Sequence, residues 1–220
     1  MWSAGHLKDR DTSRPIKEIW CVFRDDLNLP PEKLEIAGYD WRYDLALLQF
    51  RKDFRFPGKA FALGDVESVQ PGDKVIAMGC PLDAQFGITE GEVMDKEYVG
   101  TELGFTQPRL FIHSAPITFG NSGGPLILKR TGEVIGVNVM LMNAPGGYFL
   151  STMVDDMKAM YPRLKAAKGT EVLHSMLEHA AFANSWRLNP PDWKLIGMKP
   201  ITERCVVVTE VMKDSVAAKA

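Results

Sequence analysis

Phe119-Gly120-Asn121-Ser122-Gly123-Gly124-Pro125-Leu126 is the stretch on which the reading of this chain turns. It sets a serine hydroxyl among glycines, which let the backbone turn tightly and leave N–H groups unobstructed. An acyl-transfer nucleophile needs that combination: an exposed Oγ beside donors for a developing oxyanion. Glycine-flanked serines also occur in ordinary turns, so the flanks must decide. A nucleophile elbow requires a helix after the serine and partners in the order Ser, acid, His. Asp155, Asp156, His174 and His179 could supply those partners, but Gly-Gly-Pro-Leu-Ile-Leu after Ser122 reads as a strand. The opposite order, with both partners upstream, is also available.

Asp44 opens the apolar run Tyr43-Asp44-Leu45-Ala46-Leu47-Leu48-Gln49-Phe50, and His6 follows Trp2-Ser3-Ala4-Gly5. Taken singly, an aspartate at the mouth of a strand can bond its own turn, and a histidine near a terminus can be merely solvated. Together with Ser122 they supply base, orienter and nucleophile in one workable chain order.

These three blocks, Ser3-Ala4-Gly5-His6-Leu7, Tyr43-Asp44-Leu45-Ala46-Leu47-Leu48 and Gly120-Asn121-Ser122-Gly123-Gly124-Pro125-Leu126, resemble the signature blocks of trypsin-like serine proteases of the HtrA/Deg type. The resemblance extends to Pro71–Pro81, Ile88–Val93 and Gly132–Asn138, and covers most of residues 1–158. It implies an all-β-dominated, trypsin-like double β-barrel and a catalytic His6-Asp44-Ser122 triad. The backbone N–H groups of Gly120 and Ser122 would form the oxyanion hole. It further implies unfolded proteins as substrates, a periplasmic, extracytoplasmic or organellar location, and a full-length parent that assembles as a homotrimer. The residues themselves leave the compartment open.

Composition adds little. The chain has 220 residues, 45% of them hydrophobic and 25% charged, as in ordinary globular domains. A net charge of −2 gives no reason to expect nucleic acid or an anionic membrane as partner. No apolar run is long enough to span a bilayer, and the first residues lack the core of a signal peptide. Cys21, Cys80 and Cys205, odd in number and widely spaced, read as small buried apolar residues rather than as disulfides or zinc ligands. His174 and His179, five apart, would face different sides of a helix and are not read as metal ligands. Neither metal nor cofactor is expected.

Alternating patterns predict six strands after Lys59, near 74–79, 88–95, 110–115, 124–129, 133–142 and 147–152. Before Lys59 there is room for at most four, near 1–5, 16–23, 33–38 and 44–50. Residues 59–152 are thus expected to close one protease barrel, and 1–58 to form a remnant of another, short of about two and a half strands. A connector of two helices is expected over 153–188, with Pro162 kinking or interrupting the first. Residues 189–220, opening on a stiff Asn189-Pro190-Pro191 linker, resemble the start of a PDZ domain; an unrelated hairpin is the alternative. The chain therefore reads as an excerpt of a longer protein, cut at both ends.

By analogy with trypsin-like folds, Ala115 and Pro116 would floor the substrate pocket, and Val139, Met140 and Leu141 would wall it. No aspartate stands near that floor, so aliphatic side chains are favoured over Arg or Lys at the cleaved position. Two departures from the family pattern bear on the oxyanion loop. His113-Ser114-Ala115-Pro116-Ile117-Thr118 lacks the expected Asp and Asn, and Phe119 stands where Pro or Arg is usual. Two functions follow: a serine endopeptidase acting on protein or peptide substrates, or a non-catalytic relative serving as a peptide-binding, chaperone-like scaffold.

Overall fold

The computed structural model describes residues 1–4, 19–23, 29–40, 42–55, 59–81, 87–99, 109–142 and 147–169. Two antiparallel sheets carry them. The first contains β1 (Trp2–Ala4), β2 (Ile19–Cys21), β3 (Glu32–Asp40) and β4 (Leu45–Phe50), in the order β1-β4-β3-β2. Leu45 to Leu48 are buried on both faces of β4, which explains why that strand reads as a continuous apolar run instead of an alternating one.

The second sheet contains β5 (Lys74–Gly79), β6 (Gly87–Val99), β7 (Arg109–His113), β8 (Pro125–Leu128), β9 (Glu133–Met142) and β10 (Tyr148–Met153). It closes as a barrel in the order β10-β7-β6-β5-β8-β9, which leaves no edge strand to be covered. Its core draws on β7, β8, β9 and β10: Ile135, Val137, Leu126, Leu128, Phe111 and Leu150 are all buried. Each such side chain contributes about 1.5–3 kcal/mol on leaving water. The expected architecture holds: a closed six-stranded barrel beside a four-stranded half-barrel.

One helix follows, α1 (Val154–Ala166). It buries Val154, Met157, Met160 and Leu164, with contacts to β3, β4, β9 and β10. Of the two outcomes expected at Pro162, kinking or interruption, interruption does not occur, because α1 continues through it. Burial of Met160 and Leu164 on either side outweighs the roughly 3 kcal/mol that an interior proline costs. The reading of the cysteines as buried also needs correction: Cys80 is exposed and Cys21 half-buried. Cys80 follows the last residue of β5, where the chain leaves the barrel wall. The expected second helix, His174, His179, Cys205, the proline linker and the PDZ-like segment lie outside the described residues.

Asp156, in the first turn of α1, carries a carboxyl that burial pushes up from 3.8 to about 7. Arg109 and Arg42 oppose that shift, while Asp155 and Asp40 reinforce it. Between those two values the folded state holds a proton that the unfolded chain releases, so this group's contribution falls as pH rises through about 7. Asp156→Asn is expected to raise stability by roughly 1–3 kcal/mol at pH 8 and to change it little at pH 4. Urea titrations at the two pH values check this; an equal effect at both would contradict it.

Candidate active site

Ser122 lies in the loop joining β7 to β8. Turn bonds from the Asn121 N–H to the Thr118 carbonyl (3.0 Å) and from the Gly124 N–H to the Asn121 carbonyl (2.9 Å) shape that loop. Beyond it the chain enters strand β8, not a helix, so the elbow arrangement with Asp155 or Asp156 does not apply. Two bonds to β9 hold the loop down: the Gly123 N–H donates to the Asn138 carbonyl (2.8 Å), and the Asn138 N–H donates to the Gly124 carbonyl (2.9 Å).

Gly120 has φ +98, in the left-handed region, and a Cβ there would stand 2.1 Å from the Cys80 carbonyl oxygen. Only glycine fits. The Gly120 carbonyl accepts from the Cys80 N–H at 3.2 Å, which fixes the peptide's orientation. Among the described residues, no backbone acceptor meets the N–H of Gly120 or of Ser122. Phe119, just before them, is 82% exposed.

Asp44 ends the turn between β3 and β4 and is buried, 1% exposed. Its φ of 50 lies in a region that Asp and Asn adopt more readily than most residues. Asp40 shapes the turn by accepting from the N–H groups of Arg42 (2.9 Å) and Tyr43 (3.4 Å). The Thr152 hydroxyl then bonds the Tyr43 carbonyl at 2.8 Å, tying the turn to β10.

His6 lies outside the described residues, but the strand leading to it does not. Ala4, two residues before His6, pairs across the sheet with Leu45, the residue after Asp44. A Cβ on Gly123, the residue after Ser122, would stand 2.4 Å from Ser3 Oγ and 2.9 Å from the Ala4 nitrogen. The flanks of all three expected triad residues therefore meet at one place.

The expected pocket residues divide between two segments. Ala115 is fully buried and Pro116 exposed, held against β6 by three bonds: Ser114 N–H to the Glu92 carbonyl (3.0 Å), Glu92 N–H to Ser114 Oγ (2.9 Å) and Thr89 Oγ1 to the Pro116 carbonyl (2.7 Å). On β9, Asn138 pairs with Ser151 and Met140 with Leu150, so Val139 is the extra residue of a β-bulge. Bulges of this kind re-aim side chains beside functional sites. Val139 is buried, Met140 half-buried and Leu141 exposed. The acids nearest along β6 are already paired: Glu90 with Lys129 (2.6 Å) and Glu92 with Lys74. Among the described residues no cluster of His, Cys, Asp and Glu could hold a metal ion, and no helix is long and apolar enough to cross a membrane.

A closed antiparallel barrel beside a half-barrel, with a glycine-lined serine loop packed on the strand β1, defines a trypsin-like peptidase. The trypsin-like peptidase domain family matches residues 3–137, and the chain belongs to that family. Within it the relatives are HtrA/Do-like. The chain is 36% identical over 112 residues to serine protease HTRA1 of Xenopus tropicalis, covering 50% of this chain and 24% of that protein. It is 32% identical over 135 residues to the magnetosome formation protease MamE of Paramagnetospirillum magneticum, covering 61% of this chain and 18% of that protein. The chain thus spans less than a third of the length of these curated relatives. The solved HtrA-type protease AlgW shares its fold, with a TM-score of 0.63 at 21% identity over 74% of this chain and 51% of that one.

Sequence reasoning did not connect His113, Asn138 and Ser151, which form a polar chain behind the loop. His113 Nε2 meets Ser151 Oγ at 3.0 Å, and Ser151 Oγ meets Asn138 Oδ1 at 3.0 Å. Its only signal was the set of polar residues inside otherwise apolar strands: His113 in β7, Asn138 in β9 and Ser151 in β10.

Proposed function

We propose that this chain is the catalytic part of a serine endopeptidase that cleaves unfolded proteins after small or medium aliphatic residues. One observation carries the reading: Ala4, Leu45 and Gly123, the neighbours of His6, Asp44 and Ser122, converge through a strand pairing and a backbone contact. Asp44 accepts a hydrogen bond from one imidazole nitrogen of His6, fixing its tautomer and stabilising the imidazolium. The other nitrogen takes the hydroxyl proton as Ser122 Oγ attacks the peptide carbonyl. The N–H groups of Gly120 and Ser122 receive the oxyanion, each donor lowering the barrier by about 3 kcal/mol. His6 returns the proton to the leaving amine, and water then hydrolyses the acyl-enzyme by the same route.

The pocket preference is supported by the apolar set Ala115, Pro116, Val139, Met140 and Leu141, and by the pairing of Glu90 and Glu92 with lysines. The test is a fluorophosphonate probe applied to the full-length protein, with the adduct mapped by peptide mass spectrometry, followed by a peptide library. A single adduct on Ser122 and cleavage after Val, Ala, Leu or Met are expected. An unlabelled protein would favour the scaffold function instead. Cleavage mainly after Arg or Lys would refute the pocket assignment alone.

A further inference from the structure

His113, Ser151 and Asn138 are each 0% exposed and lie on three adjacent barrel strands, β7, β10 and β9. Their hydrogens are assigned by following the donors outward from Asn138. The Asn138 amide nitrogen donates to the carbonyls of Pro125 (3.2 Å) and Met78 (3.4 Å), so its Oδ1 is the free acceptor. The single Ser151 hydroxyl proton goes to that Oδ1. The contact between Ser151 Oγ and His113 Nε2 must then be an imidazole N–H donating to the hydroxyl. On this assignment His113 is a neutral Nε2–H tautomer, and its buried Nδ1 has no hydrogen-bond partner among the described residues. Burial, acting against a smaller pull from the Ala115 backbone, pushes its pKa down to about 4, which agrees with a neutral ring near pH 7.

The two ends of this chain matter for the loop between them. His113 begins the segment that runs through Ala115 and Pro116 to Ser122. Asn138 bonds Gly123 and Gly124 through its backbone and Pro125 through its side chain. We propose that His113 is a positioning residue: by donating to Ser151, which donates to Asn138, it locks β7 to β9 behind the nucleophile loop and so fixes Ser122 and its oxyanion donors. This rests on the endopeptidase reading, in which small displacements of reacting atoms cost rate. The signal passes as hydrogen-bond direction, not as bulk, and that separates it from packing.

His113→Gln keeps an N–H donor near the Nε2 position, whereas His113→Leu keeps a similar volume and no donor. In the full-length protein the glutamine variant should retain kcat within about threefold, and the leucine variant should lose about tenfold or more in kcat with KM little changed. Should leucine prevent folding, Ser151→Ala breaks the same chain with a smaller change and should show the same loss. Equal rates for the broken-chain and glutamine variants, with wild type active, would overturn the proposal and leave the protease reading standing. If wild type neither turns over nor labels, the protease reading fails, and nitrogen-15 spectra still decide the structural claim. An Nε2–H tautomer, with Gly123 and Gly124 amide shifts moving in the broken-chain variant but not in His113→Gln, supports it. An Nδ1–H tautomer, or unmoved glycine shifts, refutes it.

Discussion

Ser122→Ala is expected to lower kcat by about a million-fold while leaving thermal unfolding unchanged, because it removes only the proposed attacking oxygen from a half-buried side chain. Asp44→Asn should cost about ten-thousand-fold through a different cause. Asparagine accepts a positive φ nearly as well as aspartate, so the turn at φ 50 and its burial should survive. What changes is the partner offered to His6: a carboxamide can hold the imidazole in the wrong tautomer and cannot stabilise its charged form. Steady-state kinetics on a denatured protein substrate, read beside melting curves, check both. A drop of less than about a hundredfold in the asparagine variant, with its fold intact, would remove Asp44 from the triad. Residual turnover in the alanine variant near the wild-type rate would remove Ser122.

Gly91→Ala carries the largest expected effect on stability. Gly91 sits in β6 opposite Val75. An added Cβ would lie 2.1 Å from the Ala115 nitrogen and 2.5 Å from its Cα, both backbone atoms that cannot rotate away. Either β6 or the 114–116 segment must move, and bonds from Thr89, Glu92 and Ser114 span that seam. The cost should be about 3–5 kcal/mol, lowering Tm by roughly 10 °C or more for a domain of this size. Because the seam floors the expected pocket, KM for an aliphatic peptide should rise in whatever fraction stays folded. Calorimetry decides the first part. A Tm within about 2 °C of wild type would mean that the two segments can part freely.

Much of this was legible in the residues. Barrel strands with one buried face announce themselves by alternation, and every expected strand appears near its predicted place, from Trp2–Ala4 to Tyr148–Met153. The glycines around Ser122 were equally readable, since tight turns restrict residue choice strongly and locally. That Pro162 would not interrupt α1 was not legible, because its helix cost is local, whereas the burial of Met160 and Leu164 that outweighs it depends on sheets far away in sequence. Exposure of Cys80 was hidden for the same reason.

Local pattern by itself therefore determined the strands, the glycine-lined serine turn and the family to which the chain belongs, because backbone sterics and side-chain period act over a few residues. Tertiary structure alone decided that Ala4 lies between Leu45 and Gly123, that Val139 is the bulged residue of β9, and that His113, Ser151 and Asn138 form one chain. Those contacts join residues as many as 119 positions apart (Ala4 and Gly123), which only strand pairing within each sheet and the seating of the serine loop on β1 bring together.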